Sequence, residues 1–294
     1  MEGGSGMLLA SGSLAARVNP AAGMNVESLV FQGSPVIKVD EERQKNGQTY
    51  SLPILYPNPN RVREDRLYIA PDRTVPGGSH GFGKLLAFET KGPQATQKGA
   101  WVLGRVVFNQ EHALFPRFPF VHQLEVRIAV EGSTLTHEYR VVNLGSEPLP
   151  YGFGLHPFFY DPNHEGKLKM DAAEVVVRDA ASYPTGEMRK VEGDFDYRQM
   201  RRLRGAKLND CFAGKRAWIE MPDYRLCITG EGPYQYLMVF TPAEPAFCVE
   251  SQTCVPDAHF LHFQENRNMA GLQMVMPGEE AGGKVVYSFE RRGE

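Results

Sequence analysis

The chain has 294 residues, of which 42% are hydrophobic and 23% are charged, an ordinary composition for a protein that buries a large core. Its formal net charge of −3 gives no field that would attract nucleic acid or an acidic membrane surface, so neither is an expected partner. Residues 7–16 are weakly apolar but follow no Lys or Arg, and no run approaches the roughly 20 apolar residues that cross a membrane.

Short runs typical of β-strands recur along the chain, most of them beside Gly, Pro, Asn or Asp. The clearest pair, 122–130 and 134–142, alternates apolar and polar residues on both sides of a turn that contains Gly132. This pattern predicts a β-hairpin. A later pair, 234–240 and 246–250, predicts a strand, a turn and a second strand. The other runs, in chain order, are 28–31, 101–103, 175–177 and 225–228.

Helical periodicity is scarce in this sequence. The best candidate for a helix is residues 197–207, and the 30 glycines and 21 prolines favour many turns over long helices. The chain is therefore predicted to be all-β and predominantly antiparallel, as a large sandwich or barrel. Because such folds commonly run to about 250 residues as one unit, we expect residues 1–294 to form a single domain.

The cysteines indicate the redox compartment. Cys211, Cys227, Cys248 and Cys254 are irregularly spaced and include no Cys-x-x-Cys pair. This spacing is not typical of a disulfide-rich secreted protein. It predicts reduced thiols in a cytoplasmic protein.

Two segments carry the side chains best suited to acid and base chemistry. Residues 247–258 form an apolar, strand-like run that delivers Glu250 shortly before a turn containing Pro256 and Asp257. Residues 151–159 place His156 among aromatic residues and glycines, where an imidazole can both meet a ligand and have its pKa tuned. Together they predict an acid and base pair.

Four further motifs occur in an order that, with these two segments, resembles the aldose 1-epimerases, the galactose mutarotase-like enzymes. They are Asn58-Pro59-Asn60-Arg61-Val62-Arg63, Ser79-His80-Gly81-Phe82, Leu208-Asn209-Asp210-Cys211-Phe212 and Met276-Pro277-Gly278-Glu279. The resemblance spans most of the chain. Two positions depart from the family pattern: Ser251 replaces the proline after the glutamate, and Asn209 replaces the first of two aspartates.

The resemblance implies a fold and an activity. The fold would be the galactose mutarotase-like supersandwich, two broad twisted sheets with a sugar cleft on one open face and few short helices. The activity would be that of an isomerase that interconverts the α and β anomers of a hexose by opening and reclosing its ring. Glu250 would be the base and His156 the acid. This chemistry requires no metal and no other cofactor, and a sugar is the expected partner of a monomer or weak homodimer.

Other side chains would hold the sugar. The motif positions imply that Asp210 accepts a hydrogen bond from a hydroxyl, that Arg61 offers several donors, and that His80 lies near the ring oxygen or C1. Gln252 would join them if the strand continues far enough, because residues two apart in a strand point to the same side. A purely structural role remains the alternative for each: a solvated or Arg-paired Glu250, a core His156, a turn at His80 or Asp210, and a loop braced by Arg61.

Three other functions stay open at this stage. A hexose-6-phosphate 1-epimerase would need extra cations, which Arg63, Arg66, Arg73 or the basic segment 198–207 could supply, although that segment is more typical of a solvated surface. A catalytically silent sugar-binding protein could use the same cleft. A metal-dependent isomerase would gather His156, His259, His262 and Glu250, but the spacing of the last two histidines puts them on opposite faces of a strand.

Overall fold

The computed structural model describes residues 6–242, 245–265 and 267–293. Two short α-helices occur in these ranges, α1 (Glu41–Lys45) and α2 (Ala258–Phe263). Single 3-10 turns lie at Pro20–Ala22, Arg63–Asp65, Gly83–Leu85, Phe115–Arg117, Gly193–Phe195 and Asn268–Ala270. The strands are β1 (Met7–Ala10), β2 (Leu14–Asn19), β3 (Asn25–Phe31), β4 (Ser34–Ile37), β5 (Ile54–Leu55), β6 (Arg66–Ala70), β7 (Arg73–Pro76), β8 (Glu89–Ala95), β9 (Gly99–Phe108), β10 (His122–Glu131), β11 (Thr134–Asn143), β12 (Leu149–Tyr151), β13 (Gly154–Leu155), β14 (Phe158–Tyr160), β15 (Lys167–Met170), β16 (Glu174–Arg178), β17 (Pro184–Lys190), β18 (Arg201–Arg202), β19 (Asn209–Ala213), β20 (Arg216–Glu220), β21 (Tyr224–Glu231), β22 (Tyr236–Phe240), β23 (Ala246–Gln252), β24 (Gln273–Val275) and β25 (Glu280–Arg291).

The strands form two large antiparallel sheets. The first has 12 strands in the order β1-β2-β3-β4-β14-β23-β22-β19-β16-β17, with β13 pairing to both β23 and β5. The second has nine strands in the order β18-β15-β20-β21-β25-β11-β10-β9-β8. Two small sheets, β12-β24 and β6-β7, complete the described part of the fold. The prediction of an all-β, antiparallel architecture with few short helices is confirmed.

In both predicted pairs, the two strands are hydrogen-bonded antiparallel neighbours. β10 and β11 pair from His122 opposite Asn143 to Glu131 opposite Thr134, as the alternation predicts. β22 and β23 pair from Phe240 opposite Cys248 to Tyr236 opposite Gln252. β23 thus reaches two residues beyond the predicted strand. In the turn between these strands, residues 243 and 244 lie outside the described ranges.

The predicted helix at 197–207 is wrong. Arg201 and Arg202 form β18, which pairs with Lys167 and Leu168 at the end of the second sheet. Tyr197 and Leu203 on either side are buried in the core between the sheets. Pairing with a neighbouring strand and burial of these two side chains therefore override the weak local helix preference.

The core lies between the two large sheets. Along β23, Phe247 and Val249 belong to this core, whereas Glu250 and Gln252 point to the opposite face of the first sheet. That outer face is partly covered by α2, whose Ala258 and Leu261 pack with a second apolar cluster. Strand alternation thus separates the residues that hold the sheets together from those that face the outer side.

Two further predictions concern the redox state and the membrane. None of the four cysteines, all of which the structure describes, forms a disulfide. No helix within the described ranges is long and apolar enough to cross a membrane.

A buried histidine in the core makes stability depend on pH. His137 of β11 is fully buried opposite Ile128 and Val285, and neither ring nitrogen has a hydrogen-bond partner among the described residues. Burial lowers the pKa of His137 to about 3. The unfolded chain therefore binds a proton near pH 6.5 that the folded protein binds only at lower pH. The stability linked to this group is fully present above pH 6.5 and is lost as the pH falls toward 3.

His137→Leu is expected to raise the free energy of unfolding by about 1 kcal/mol at pH 7.5, because an unpaired polar ring leaves the core. The difference in free energy of unfolding between the variant and the natural protein should grow below pH 6.5 by up to about 1.4 kcal/mol per pH unit, since leucine takes up no proton on unfolding. Urea titrations of both proteins at pH 7.5, 6.0 and 5.0 measure this. A difference that stays constant across the three pH values would contradict the prediction.

Candidate active site

A cleft lies on the outer face of the first sheet. Its floor is a row of side chains from neighbouring strands, in which Glu250 stands opposite Met238, and Met238 stands opposite Cys211. About 770 Å³ above this row is free of protein atoms, and part of that space is open to solvent. The loops before β6, after β7 and between β16 and β17 form the walls, with His156 beside Glu250.

Glu250 and His156 are in direct contact at the floor. Glu250 Oε1 lies 3.3 Å from His156 Nε2, and the two residues are only 1% and 5% exposed. The His156 ring stacks on Phe158 with centroids 4.5 Å apart. Its Nδ1 has no hydrogen-bond partner among the described residues. The arrangement places an imidazole nitrogen and a carboxylate side by side at the floor, where both can reach the same ligand.

Burial shifts both groups toward their uncharged forms. It raises the pKa of Glu250 well above the usual range of a glutamate, while the hydrogen bond from Gln252 lowers that pKa. Burial, together with the nearby ring of His80, holds the pKa of His156 well below 6.5. A pair shifted in these opposite directions holds one proton between its two members over a wide pH range, and titrates as a unit.

His80 stands at the wall of the cleft as a neutral donor. Its ring meets that of His156 edge-on, with centroids 5.1 Å apart. His80 Nδ1 accepts a hydrogen bond of 3.2 Å from the backbone N–H of Asn60, which leaves the proton of the neutral ring on Nε2. Burial, with a smaller effect of Lys84, lowers the pKa of His80 to about 4. His80 is thus suited to donate a hydrogen bond near neutral pH.

The glycine after His80 fixes this wall. Gly81 has a φ of 62°, and a Cβ there would lie 2.2 Å from the carbonyl oxygen of Tyr56. The same oxygen accepts hydrogen bonds from the N–H groups of Phe82 and Gly83. Only glycine permits this close approach, which explains the His-Gly pair seen in the sequence.

Gln252 lies beneath the cleft surface. It is fully buried, shares the outer face with Glu250 as strand parity predicts, and does not line the cleft. Its Nε2 donates to Glu250 Oε2 at 2.8 Å. Its Oε1 accepts from Asn60 Nδ2 at 2.7 Å.

Asp210 is joined to the cleft through another residue. Its carboxylate accepts hydrogen bonds from Arg178 Nη2 at 2.7 Å and from the backbone N–H of Asn209 at 2.9 Å. Arg178 and Asn209 line the cleft, whereas Asp210 does not. The structure therefore brings Arg178 to the position where the sequence suggested an aspartate alone.

Arg61 also lines the cleft, on an exposed loop. Its side chain makes no hydrogen bond or ion pair with any other described residue. Next to it, Arg63 donates to Asp257 through its backbone N–H and its side chain, and its guanidinium lies 3.7 Å from the centroid of Phe260. Asp257 is buried in the turn after β23, so this pairing fastens the Arg61 loop to the strand that carries Glu250.

The remaining cations and histidines named from the sequence lie elsewhere. Arg73 pairs with Glu147, Arg66 lies near Glu64, and the basic segment 198–207 contributes nothing to the cleft lining. The ring nitrogens of His259 contact the carbonyl oxygens of Tyr68 and Pro57. Among the described residues, no group of three or more His, Cys, Asp or Glu side chains could hold a metal ion.

Asn60, Arg178 and Asp257 join the site without having been assigned a role from the sequence. Asn60 and Asp257 stand inside motifs that the sequence does show, and both have positive φ, 61° and 55°. Asn and Asp tolerate this conformation better than most residues, so their type was a usable signal. Arg178 follows a β-run without a motif, and nothing local marks it.

Comparison with known proteins gives a consistent result. Residues 16–288 match the family model described as aldose 1-epimerase. A galactose mutarotase-like protein from Clostridium acetobutylicum is 21% identical, with a TM-score of 0.84 over 96% of this chain and 94% of that one. A protein from Synechocystis sp. PCC 6803 is 23% identical, with a TM-score of 0.80 over 97% and 95% of the two chains. A galactose 1-epimerase from Lactobacillus acidophilus is 17% identical, with a TM-score of 0.76 over 97% and 93%.

Proposed function

Because the chain belongs to the aldose 1-epimerase family, we propose that it interconverts the α and β anomers of a hexose, with Glu250 as base and His156 as acid. The observation that carries the proposal is the contact of 3.3 Å between Glu250 Oε1 and His156 Nε2 at the floor of a cleft. Arg61 and His80 line the same cleft and are suited to hold the sugar, and Arg178 adds a further donor.

The reaction opens and recloses the sugar ring. The carboxylate of Glu250 takes the proton of the O1 hydroxyl, and the released electron pair forms the C1=O1 double bond. The C1–O5 bond breaks, its electron pair goes to O5, and O5 receives the proton of His156. Rotation about C1–C2 exposes the other face of the aldehyde. The reverse transfers then close the ring to the other anomer.

The number of protons that the buried pair holds is compatible with this order of steps. Before ring opening the pair is a carboxylate with an imidazolium, and afterwards it is a carboxylic acid with a neutral imidazole. Both states hold one proton, so the charge of the site does not change. Burial disfavours the charged state, as the opposite pKa shifts of Glu250 and His156 indicate. The reactive charged form is therefore reached when the proton of Glu250 passes to His156 Nε2 across their 3.3 Å contact, and ring opening returns the pair to its uncharged form.

A second candidate is a hexose-6-phosphate 1-epimerase. Its support is the guanidinium of Arg61, which has no anionic partner among the described residues, together with Arg178, which also lines the cleft. Within the described part of the chain, Glu250 is the only carboxylate that lines the cleft. Since Arg178 is already paired with Asp210, the uncompensated guanidinium of Arg61 is the group that favours an anionic substituent on the sugar.

Anomer exchange measured by NMR saturation transfer, across free aldoses and their 6-phosphates, tests the function. We expect enzyme-dependent exchange with at least one hexose, and its preference for the free or the phosphorylated form decides between the two candidates. Exchange should stay nearly constant with pH around neutrality, since the pair keeps one proton there. Sugar binding without any faster exchange would instead indicate the catalytically silent protein.

A further inference from the structure

The surroundings of Gln252 are unlike those of a sugar ligand. The residue is fully buried below the cleft, and both ends of its amide are already used. The amide nitrogen donates to Glu250 Oε2, and the amide oxygen accepts from Asn60 Nδ2. A contact with the substrate would have to break one of these bonds in a place that the cleft does not reach.

The direction of this chain of hydrogen bonds is fixed by its end. In the ionised state that accepts a proton, the carboxylate of Glu250 can only accept hydrogen bonds, so the NH₂ group of Gln252 must face Glu250 and its oxygen must face away. The NH₂ group of Asn60 then has to meet that oxygen. The hydrogen bonds from Asn60 to Gln252 and from Gln252 to Glu250 Oε2 therefore run in one direction. We call this chain of two hydrogen bonds the relay.

Rigid backbone holds both amides in place. Gln252 is the last residue of β23, and Gly154 of β13 stands opposite it. A Cβ at Gly154 would lie 3.1 Å from Cγ of Gln252, so the glycine provides the room for this side chain. Asn60 and His80 exchange two hydrogen bonds, from each backbone N–H to the other residue, at 3.2 and 2.8 Å.

The relay gives the two carboxylate oxygens of Glu250 different partners. Oε2 is occupied by Gln252, and Oε1 faces His156 at the floor of the cleft. We propose that Gln252, with Asn60 behind it, is a positioning residue for the epimerisation, which turns the Glu250 carboxylate and keeps Oε1 as its proton-accepting atom. The inference rests on the proposed function, and it replaces a sugar contact by Gln252 with a role exerted through Glu250.

Several titratable groups lie near Glu250, in addition to the residues of the relay. His156 contacts it from the loop between β13 and β14, with the ring of His80 behind. Cys211 lies on the same face in β19, whereas Tyr287 of β25 lies in the core on the other side of the sheet, where burial and, to a lesser extent, the charge of Glu250 raise its pKa. Burial raises the pKa of both the Cys211 thiol and the Tyr287 phenol, so they stay neutral near pH 7. Among all these neighbours, the Gln252 amide is the donor that stabilises the carboxylate without carrying a charge.

The test is Gln252→Met, which keeps the length of the side chain and removes its donor. We expect kcat to fall about tenfold to a hundredfold at pH 6 with little change in KM, and the acid limb of the rate profile to move to higher pH. Ser251→Ala is the matched control, because Ser251 lies in the same strand and its buried hydroxyl has no partner among the described residues. It should leave both parameters and the profile unchanged.

Two results would overturn the proposal. One is an unchanged pH profile and kcat in Gln252→Met, and the other is a raised KM with kcat preserved, which indicates direct sugar binding. If Gln252→Met does not fold, Asn60→Gly breaks the relay at its other end while tolerating the positive φ, and the same shift of the acid limb is expected.

A second readout separates this inference from the proposed function. Difference infrared titration of the carboxyl band, with Glu250→Gln subtracted, follows the protonation of Glu250 without any substrate. In Gln252→Met this titration should move to higher pH than in the natural protein, and coinciding curves would refute the relay. Lack of anomer exchange by the natural protein would instead refute the proposed function, whatever the infrared result.

Discussion

Glu250→Gln is expected to lower kcat for anomer exchange by about a thousandfold, with KM within about threefold of the natural value. Glutamine keeps the shape of the side chain and a hydrogen-bonding oxygen, but it cannot take the proton of the O1 hydroxyl. Saturation-transfer rates for both proteins measure the effect. Glu89→Gln in the exposed edge strand β8 is the control and should retain full activity.

The same substitution should stabilise the fold above pH 4.5. The pKa of Glu250 is raised in the folded protein, so its favourable contribution is complete below about pH 4.5 and is lost as the pH rises. A neutral amide avoids this loss, and a gain of about 1–3 kcal/mol is expected at pH 8. Activity and stability that fall together would show that Glu250 has a structural role, contrary to the proposal.

His156→Ala is expected to lower kcat by a factor of about a hundred to ten thousand, because O5 loses its proton donor when the C1–O5 bond breaks. The substitution also leaves space between Phe158 and Glu250, which the imidazole ring fills in the natural protein. Added imidazole should therefore restore part of the rate, in proportion to its concentration, when anomer exchange is measured again.

His262→Ala serves as the control for this experiment. His262 is half-buried on α2 and does not line the cleft, so its removal should leave both kcat and the response to imidazole unchanged. Rescue of the His156→Ala variant by a tertiary amine of similar pKa, but not by imidazole, would argue against a donor placed at this ring.

The two departures from the family pattern fall on different sides of the sheet. Ser251 lies between Glu250 and Gln252, and its alternation turns the hydroxyl away from the cleft toward the core. Asn209 lines the cleft directly, and its backbone N–H also binds the Asp210 carboxylate. Of the two, only Asn209 is in direct reach of a ligand in the cleft, so under the proposed function it is the departure placed to influence which sugar hydroxyls are accepted.

The site concentrates features that cost stability. Burial raises the pKa of Glu250 and lowers that of His156, so the charged form of each is disfavoured, and Asn60, His80 and Asp257 have positive φ. Each such residue is unfavourable by itself. The large core between the sheets offsets them, since buried apolar side chains contribute about 1.5–3 kcal/mol each.

The sequence by itself determined several of the strands and the pair of residues proposed to react. Alternation within 122–130 and 134–142 defined the hairpin of β10 and β11, because side chains on neighbouring positions of a strand must face opposite sides. The spacing of Glu250 and Gln252 placed both on one face of β23. The order of the motifs identified Glu250 and His156 together, although their positions in the chain differ by 94.

Only the tertiary structure decided how these side chains are supported. Asn60 and Gln252 are 192 residues apart, and Arg63 and Asp257 are 194 apart, so no local pattern relates them. Arg178 reaches Asp210 because β16 and β19 are neighbours in the sheet, although their order in the chain does not show it. Residues 197–207 do not form a helix, because the pairing of β18 with β15 and the burial of Tyr197 and Leu203 outweigh their local preference. Local preferences come from a few neighbouring residues, whereas burial and long-range pairing are properties of the assembled sheets.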